Sequence, residues 1–198
     1  GEMQSLAVGV GDLKRVLSNV KTRGILGEIQ LGAILEEMLA PEQYVENVVT
    51  SPRGKERVEF AIKIPGDDDG FALLPIDSKF PVDAYNDLMD AYDSADTAKA
   101  AAAGETLKAR IRGFAKDIRD KYIDPPFGIM FLPTEGLYAE AVKLGLVEKL
   151  QRDYRISIAG PSIMAALLNS LQMGFRSVAI QKRSSEVWKV LSAVKTEF

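Results

Sequence analysis

Apolar positions recur at helical spacing through the first forty residues. Val10, Leu13, Leu17 and Val20 predict a helix from Leu6 to Lys21. Ile25, Ile29, Leu31, Ile34, Leu35 and Met38 predict a second from Thr22 to Leu39, with Pro41 just past its end. The period then changes to two. Tyr44 to Thr50 reads as a strand. Arg57 to Ile64 alternates, with Val58, Phe60, Ile62 and Ile64 on one face and Arg57, Glu59, Ala61 and Lys63 on the other. Pro65-Gly66-Asp67-Asp68-Asp69-Gly70 is a turn, and Phe71 to Phe80 is a further strand, so the two runs predict a hairpin.

Beyond Pro81, which opens a helix, the helical period returns. A long helix is expected over Thr97 to Tyr122, buried through Leu107, Ile111, Phe114, Ile118 and Tyr122 and stopped by Pro125-Pro126. Phe127 to Leu132 is a short apolar strand. Thr134 to Leu150 is helical with a break near Gly145, and Arg155 to Ala159 is a strand. Pro161 starts a last helical region, expected to break near Gly174 and restart at Ser184-Ser185. The order is α-α-β-β-β-α-α-β-α-β-α. It predicts an α/β domain with helices on both faces of a mixed central sheet.

At 198 residues the chain is the size of one domain, and its apolar and charged content suits a globular fold. No apolar run is read as the roughly 20 residues that cross a bilayer, and no signal peptide is read. Gly1-Glu2-Met3 reads as an artificial edge, with further chain expected upstream. The absence of cysteine and histidine excludes disulfides, thiolate chemistry, a Ser-His-Asp triad and sites built on those ligands. Any catalysis must use carboxylates, lysine, hydroxyls or tyrosine, and an oxygen-only ligand set favours Mg²⁺ or Mn²⁺. The net charge of −3 argues against a protein that merely coats DNA, but leaves room for a local basic groove.

Ile76-Asp77-Ser78-Lys79 carries the sharpest chemistry. Asp77 and Lys79 are two apart and project from one face of a strand, beyond Leu73 and Pro75. A carboxylate there can hold a divalent ion, and the lysine can orient water or stabilise developing charge. Glu59, eighteen residues earlier, can approach Asp77 across the hairpin. Glu28, inside the second helix, is a candidate third acid, with Gln30 beside it. Taken singly, each also reads as a solvated surface residue. In order they form helix-Glu, strand-Glu, turn, strand-Asp-x-Lys.

That series resembles the PD-(D/E)xK signature of restriction-endonuclease-like nucleases. Gly27-Glu28-Ile29-Gln30-Leu31 with Ile34-Leu35-Glu36, then Arg57-Val58-Glu59-Phe60, Ile76-Asp77-Ser78-Lys79, Met130-Phe131-Leu132-Pro133-Thr134-Glu135 and Gly160-Pro161-Ser162-Ile163 resemble, in order, the blocks of the DNA recombination protein RmuC family. The resemblance implies a restriction-endonuclease-like fold over residues 22–198, preceded over 1–21 by the end of an upstream coiled coil. It implies metal ligands Glu59 and Asp77, catalytic Lys79 and helical acid Glu28. It further implies a bacterial, cytoplasmic nuclease acting on DNA in recombination and limiting rearrangements, with recombination proteins as further partners. Family members carry an N-terminal membrane segment, so the whole protein could be anchored to the inner membrane; this fragment is expected to make no membrane contact. Val58-Glu59 stands where the family usually has Pro-Asp, and the extra methylene moves the carboxylate by more than ~1 Å.

Lys108, Arg112, Lys116 and Arg119 form a basic stripe on the long helix. It reads either as a DNA-backbone contact or as a solvated face paired with Glu105, Asp117 and Asp120. Asp67-Asp68-Asp69 reads as a solvated turn, Trp188 as core or docking surface, and Glu135 as the cap of its own helix or the rim of the site. Two functions follow: a metal-dependent DNA nuclease, or a nuclease-like fold that binds DNA or a recombination partner without cutting.

Overall fold

A computed structural model describes residues 20–66, 70–123 and 127–196. The chain runs through α1 (Val20–Met38), a 3-10 turn (Pro41–Gln43), β1 (Tyr44–Val48), β2 (Val58–Pro65) and β3 (Phe71–Ser78). It continues through α2 (Val82–Asp93), α3 (Thr97–Tyr122), β4 (Gly128–Phe131), α4 (Glu135–Lys143), α5 (Leu146–Tyr154), β5 (Ile156–Ala159) and α6 (Pro161–Thr196). The helix expected from Leu6, the three aspartates of the turn and Pro125-Pro126 lie outside the described residues, apart from the helix's last two positions, which belong to α1.

The five strands lie in the order β1-β2-β3-β4-β5. β1, β2 and β3 pair antiparallel and β3, β4 and β5 parallel, so the sheet is mixed as expected. Parallel pairing requires long crossovers, and α2–α3 and α4–α5 supply them. Helices cover both faces. Phe60, Ile62, Leu74, Ile76, Ile129 and Phe131 point toward α1 and α6, where Leu31, Leu35, Met164 and Leu168 meet them. Met130, Ile156 and Ile158 belong to the opposite core with Leu107, Ile111 and Ile118 of α3 and Leu137, Leu146 and Leu150 beyond it. Each fully buried Leu or Ile here contributes roughly 1.5–3 kcal/mol.

Local chemistry sets the boundaries. Asp96 starts α3 by accepting from Lys99 N at 3.1 Å, and Thr134 starts α4 by accepting from Leu137 N at 3.1 Å. Gly145, at φ 71°, makes the break between α4 and α5.

Several expectations fail in the last third. α6 is continuous through Gly174 and Ser184-Ser185. An interior glycine costs a helix about 1 kcal/mol, too little to break one flanked by strong helix formers. By length and composition α6 could also cross a membrane over Pro161–Val194, contrary to the reading of the apolar runs, although Met164 and Leu168 within it are packed against the sheet. Trp188 is 69% exposed, so it is not core. Glu135 does not cap its own helix. Its carboxylate accepts from Ser162 N at 2.6 Å, at the start of α6, and the Ser162 hydroxyl and N–H hold its pKa down. Two blocks of the sequence pattern, Leu132-Pro133-Thr134-Glu135 and Gly160-Pro161-Ser162, thus meet in space.

Candidate metal and phosphodiester site

Within the hairpin Phe60 lies opposite Ile76 and Ala61 opposite Pro75. One step further along the same register Glu59 falls opposite Asp77, and opposed residues share a face. That face is the one under α3, since Asp77 pairs with Met130, a member of the α3-side core. Both acids sit where the strands run out of the sheet. Lys79 N donates to Phe131 O at 3.0 Å and anchors the end of β3 on β4. Glu59 is held in turn by Ser78 N, which donates to its Oε2 at 2.9 Å.

Asp77 is 2% exposed. Lys79 Nζ stands 3.0 Å from Asp77 Oδ2. That contact pairs the ammonium with the buried oxygen, and Lys79 and the Glu59 carboxyl are both near enough to hydrogen-bond the Asp77 carboxylate. A buried carboxylate is costly unless it is paired, and Lys79 supplies the pairing. The ammonium also lies 5.7 Å from the centre of the Phe114 ring, which favours its place beside Asp77.

Burial raises the pKa of both acids. For Glu59 the nearby Asp77 charge adds to it, and Glu28 adds a little more. The Ser78 N–H and Lys79 oppose, and the Glu59 pKa is pushed up to about 8. For Asp77 burial outweighs the lowering by Lys79, Lys121 and the Glu59 carboxyl. Two crowded carboxyls of this kind share a proton at neutral pH, and a divalent cation would displace it. Two crowded carboxyls that offer only oxygen donors suit Mg²⁺ or Mn²⁺.

Glu28 is placed differently. It is exposed, and it lines a groove with Phe60, Tyr44 and Glu46 on the α1 side of the sheet. Its charge reaches Glu59, but among the described residues no three acids gather into a cation-sized cluster. The reason lies next door. A Cβ on Gly27 would stand 2.7 Å from Ser78 Oγ and 2.8 Å from Pro133 Cγ. The glycine lets α1 press on the end of β3, and Glu28 is carried past the strand end on the opposite face.

The basic stripe also misses the site. On a helical wheel, Lys108, Arg112, Lys116 and Arg119 occupy one flank of the buried stripe of α3, while Phe114 and Lys121 occupy the other. Phe114 receives Lys79, and Lys121 is near enough to lower the Asp77 pKa. Arg119 is engaged elsewhere, with Asp120 at 3.0 Å, with Asp153 O at 3.4 Å and over the Tyr154 ring. The residue near the acids that periodicity hides is Tyr122. Its spacing reads as core, yet its half-buried hydroxyl feels Asp77 and Glu59, and burial followed by those charges pushes its pKa up to about 12. Its place at the end of a stripe whose apolar members precede it is the available signal.

The family model described as "RmuC family" matches residues 1–198. The chain belongs to the RmuC family. It is 54% identical over 205 aligned positions to a "DNA recombination protein RmuC homolog" of Xylella fastidiosa, which covers all of this chain and 45% of that protein. A homolog of the same name from Chlamydia pneumoniae is 29% identical over 88% of the chain and 41% of its own length. One from Zymomonas mobilis is 35% identical over 62% of the chain. The chain thus spans less than half the length of these RmuC relatives. No solved structure matches it.

Proposed function

We propose that this domain is a metal-dependent nuclease module of restriction-endonuclease-like type that acts on DNA during recombination, as the name of its RmuC relatives suggests. The observation that carries the reading is the Glu59–Asp77 pair, opposed across the hairpin register, with Lys79 3.0 Å from the buried Asp77 carboxylate. Glu59 and Asp77 would hold Mg²⁺ or Mn²⁺, with water and a substrate phosphate completing the shell. The ion would supply Lewis acidity and charge at the scissile phosphate. Lys79, beside Asp77 and Phe114, would orient the attacking water or stabilise the charge that develops on phosphate. Tyr122, neutral across the physiological range, can donate a hydrogen bond near the two acids. Limiting DNA rearrangements, working with recombination proteins and a cytoplasmic or membrane-anchored location belong to the same proposal, for the whole protein.

A second reading is a nuclease-like fold that binds DNA without cutting. Two features favour it: the converging acids number two rather than three, and Glu59 is engaged by Ser78 N. The two readings separate in one assay. Single-stranded, duplex and branched DNA are incubated with the protein and Mg²⁺ or Mn²⁺, with Lys79→Ala as control. Metal-dependent cleavage lost in Lys79→Ala supports the nuclease. Binding without cleavage in any form supports the scaffold.

A further inference from the structure

The surface beside the carboxylates is the loop between β1 and β2, residues 49–57. Its sequence Pro52-Arg53-Gly54-Lys55-Glu56-Arg57 brings three cations and one acid into six residues, in a chain whose overall charge is negative. The loop is fixed rather than free. Thr50 Oγ1 donates to Tyr122 O at 2.6 Å, and Gly54 N donates to Ser51 O at 3.1 Å. A Cβ on Gly54 would stand 2.9 Å from Lys121 O, so only glycine lets the loop seat on the last turn of α3. Glu56 pairs with Lys121 at 3.5 Å, an exposed contact that neutralises the single acid of the loop. Arg57 keeps its backbone-directed bond to Asn47 O at 2.8 Å and has further donors to spare.

This seating puts the loop on the last turn of α3, where Lys121 is close enough to Asp77 to lower its pKa. Arg57 immediately precedes β2, two residues before Glu59. Glu56, which the loop carries, is close enough to raise the Tyr122 pKa together with Asp77 and Glu59. Arg53 and Lys55 are exposed, and neither forms an ion pair with another described residue. Exposed cations on a loop seated beside Lys121 and Tyr122, which feel the two acids, suit a polyanion whose scissile phosphate must reach those acids.

We infer that the β1–β2 loop, through Arg53, Lys55 and Arg57, is the DNA-backbone clamp of this domain, and that the α3 stripe of Lys108, Arg112, Lys116 and Arg119 is not. The inference rests on the DNA-directed reading of the Glu59–Asp77 site and specifies how strand is presented to it. The clamp reads no sequence, because phosphate contacts carry none.

The test is binding of fluorescein-labelled duplex and single-stranded DNA, followed by anisotropy in EDTA over a salt series. Wild type, Arg53→Glu/Lys55→Glu and Lys108→Glu/Lys116→Glu are compared, each checked for an unchanged circular dichroism melt. Removing one cation from a DNA phosphate should flatten the slope of log K against log salt by about 0.7–0.9. The loop variant is expected to bind at least about tenfold more weakly, with a slope shallower by about 1.5 or more. The stripe variant should match wild type. Wild-type affinity and slope in the loop variant, or weakened binding in the stripe variant, would overturn the clamp while leaving the DNA-directed reading intact. A wild-type protein that binds neither DNA in EDTA would overturn the clamp, and one that binds neither DNA with Mn²⁺ present would overturn the DNA-directed reading as well.

Discussion

Replacing Glu59 with glutamine removes a carboxyl whose ionisation is opposed by burial first and by Asp77 second. Glutamine keeps an oxygen for Ser78 N but cannot ionise. In the folded protein the Glu59 pKa stands at about 8 against an ordinary 4.5. The folded state therefore binds a proton that the unfolded chain has released, and stability falls as pH rises between those two values, becoming level above about 8. At pH 7 the upper bound of this loss is about 3 kcal/mol, and water reaching the half-buried carboxyl lowers the expectation to about 1–2 kcal/mol. Urea unfolding of both proteins in EDTA, from pH 4.5 to 8.5, measures it. The stability of Glu59→Gln relative to wild type should climb by that amount across the range, with most of the climb below pH 8. Wild-type and variant curves that run parallel would refute the reasoning, because they would mean that Glu59 titrates normally, opposed by neither burial nor Asp77.

Three further outcomes are expected. Gly27→Ala should destabilise by about 1–3 kcal/mol through overpacking on Ser78 and Pro133, whereas Gly24→Ala, with open space at its Cβ, should not; chemical denaturation compares them. Gly174→Ala should stabilise by about 0.5–1 kcal/mol, since α6 is continuous there and the new methyl meets nothing; a drop in melting temperature would point to a real break at that position. Glu135→Gln should lower the melting temperature at neutral pH and leave it unchanged near pH 3. The depressed Glu135 pKa stabilises above the ordinary carboxylate range and is lost on acidification.

What the sequence made legible follows from the range over which each signal acts. The α3 limits, Thr97 and Tyr122, were readable because Asp96 and the prolines act within a turn of the helix ends. The β2–β3 hairpin was readable because period-two alternation and the Pro65-Gly66 turn agree, and the opposition of Glu59 and Asp77 then follows from register alone. Other features depend on what stands beside a residue in space. Periodicity located the buried stripe of α3 but could not say that Phe114 and Lys121 flank the acids while Arg119 stacks on Tyr154 of α5. Glu135 sits at a helix start, where a local cap is the natural reading; its partner Ser162 is twenty-seven residues away. Glu28 lies in a helix that packs, yet only the close approach at Gly27 decides that its own side chain stays outside. Gly174 looks like a break because a glycine signals one locally, whereas the run of helix formers around it decides the outcome.

The central claim is that Glu59 and Asp77 are ligands of one divalent cation, and Mn²⁺-dependent melting of wild type and Asp77→Asn tests it most directly. In EDTA the variant should melt slightly above wild type, because it removes repulsion from Glu59. Mn²⁺ at about 100 times its dissociation constant should add roughly 2.7 kcal/mol to wild-type stability if it binds only the folded protein. Asp77→Asn should lose most of that gain. Equal Mn²⁺-induced shifts in the two proteins would contradict the claim: the cation would then bind elsewhere, and the non-cleaving scaffold would be the better reading of the fold.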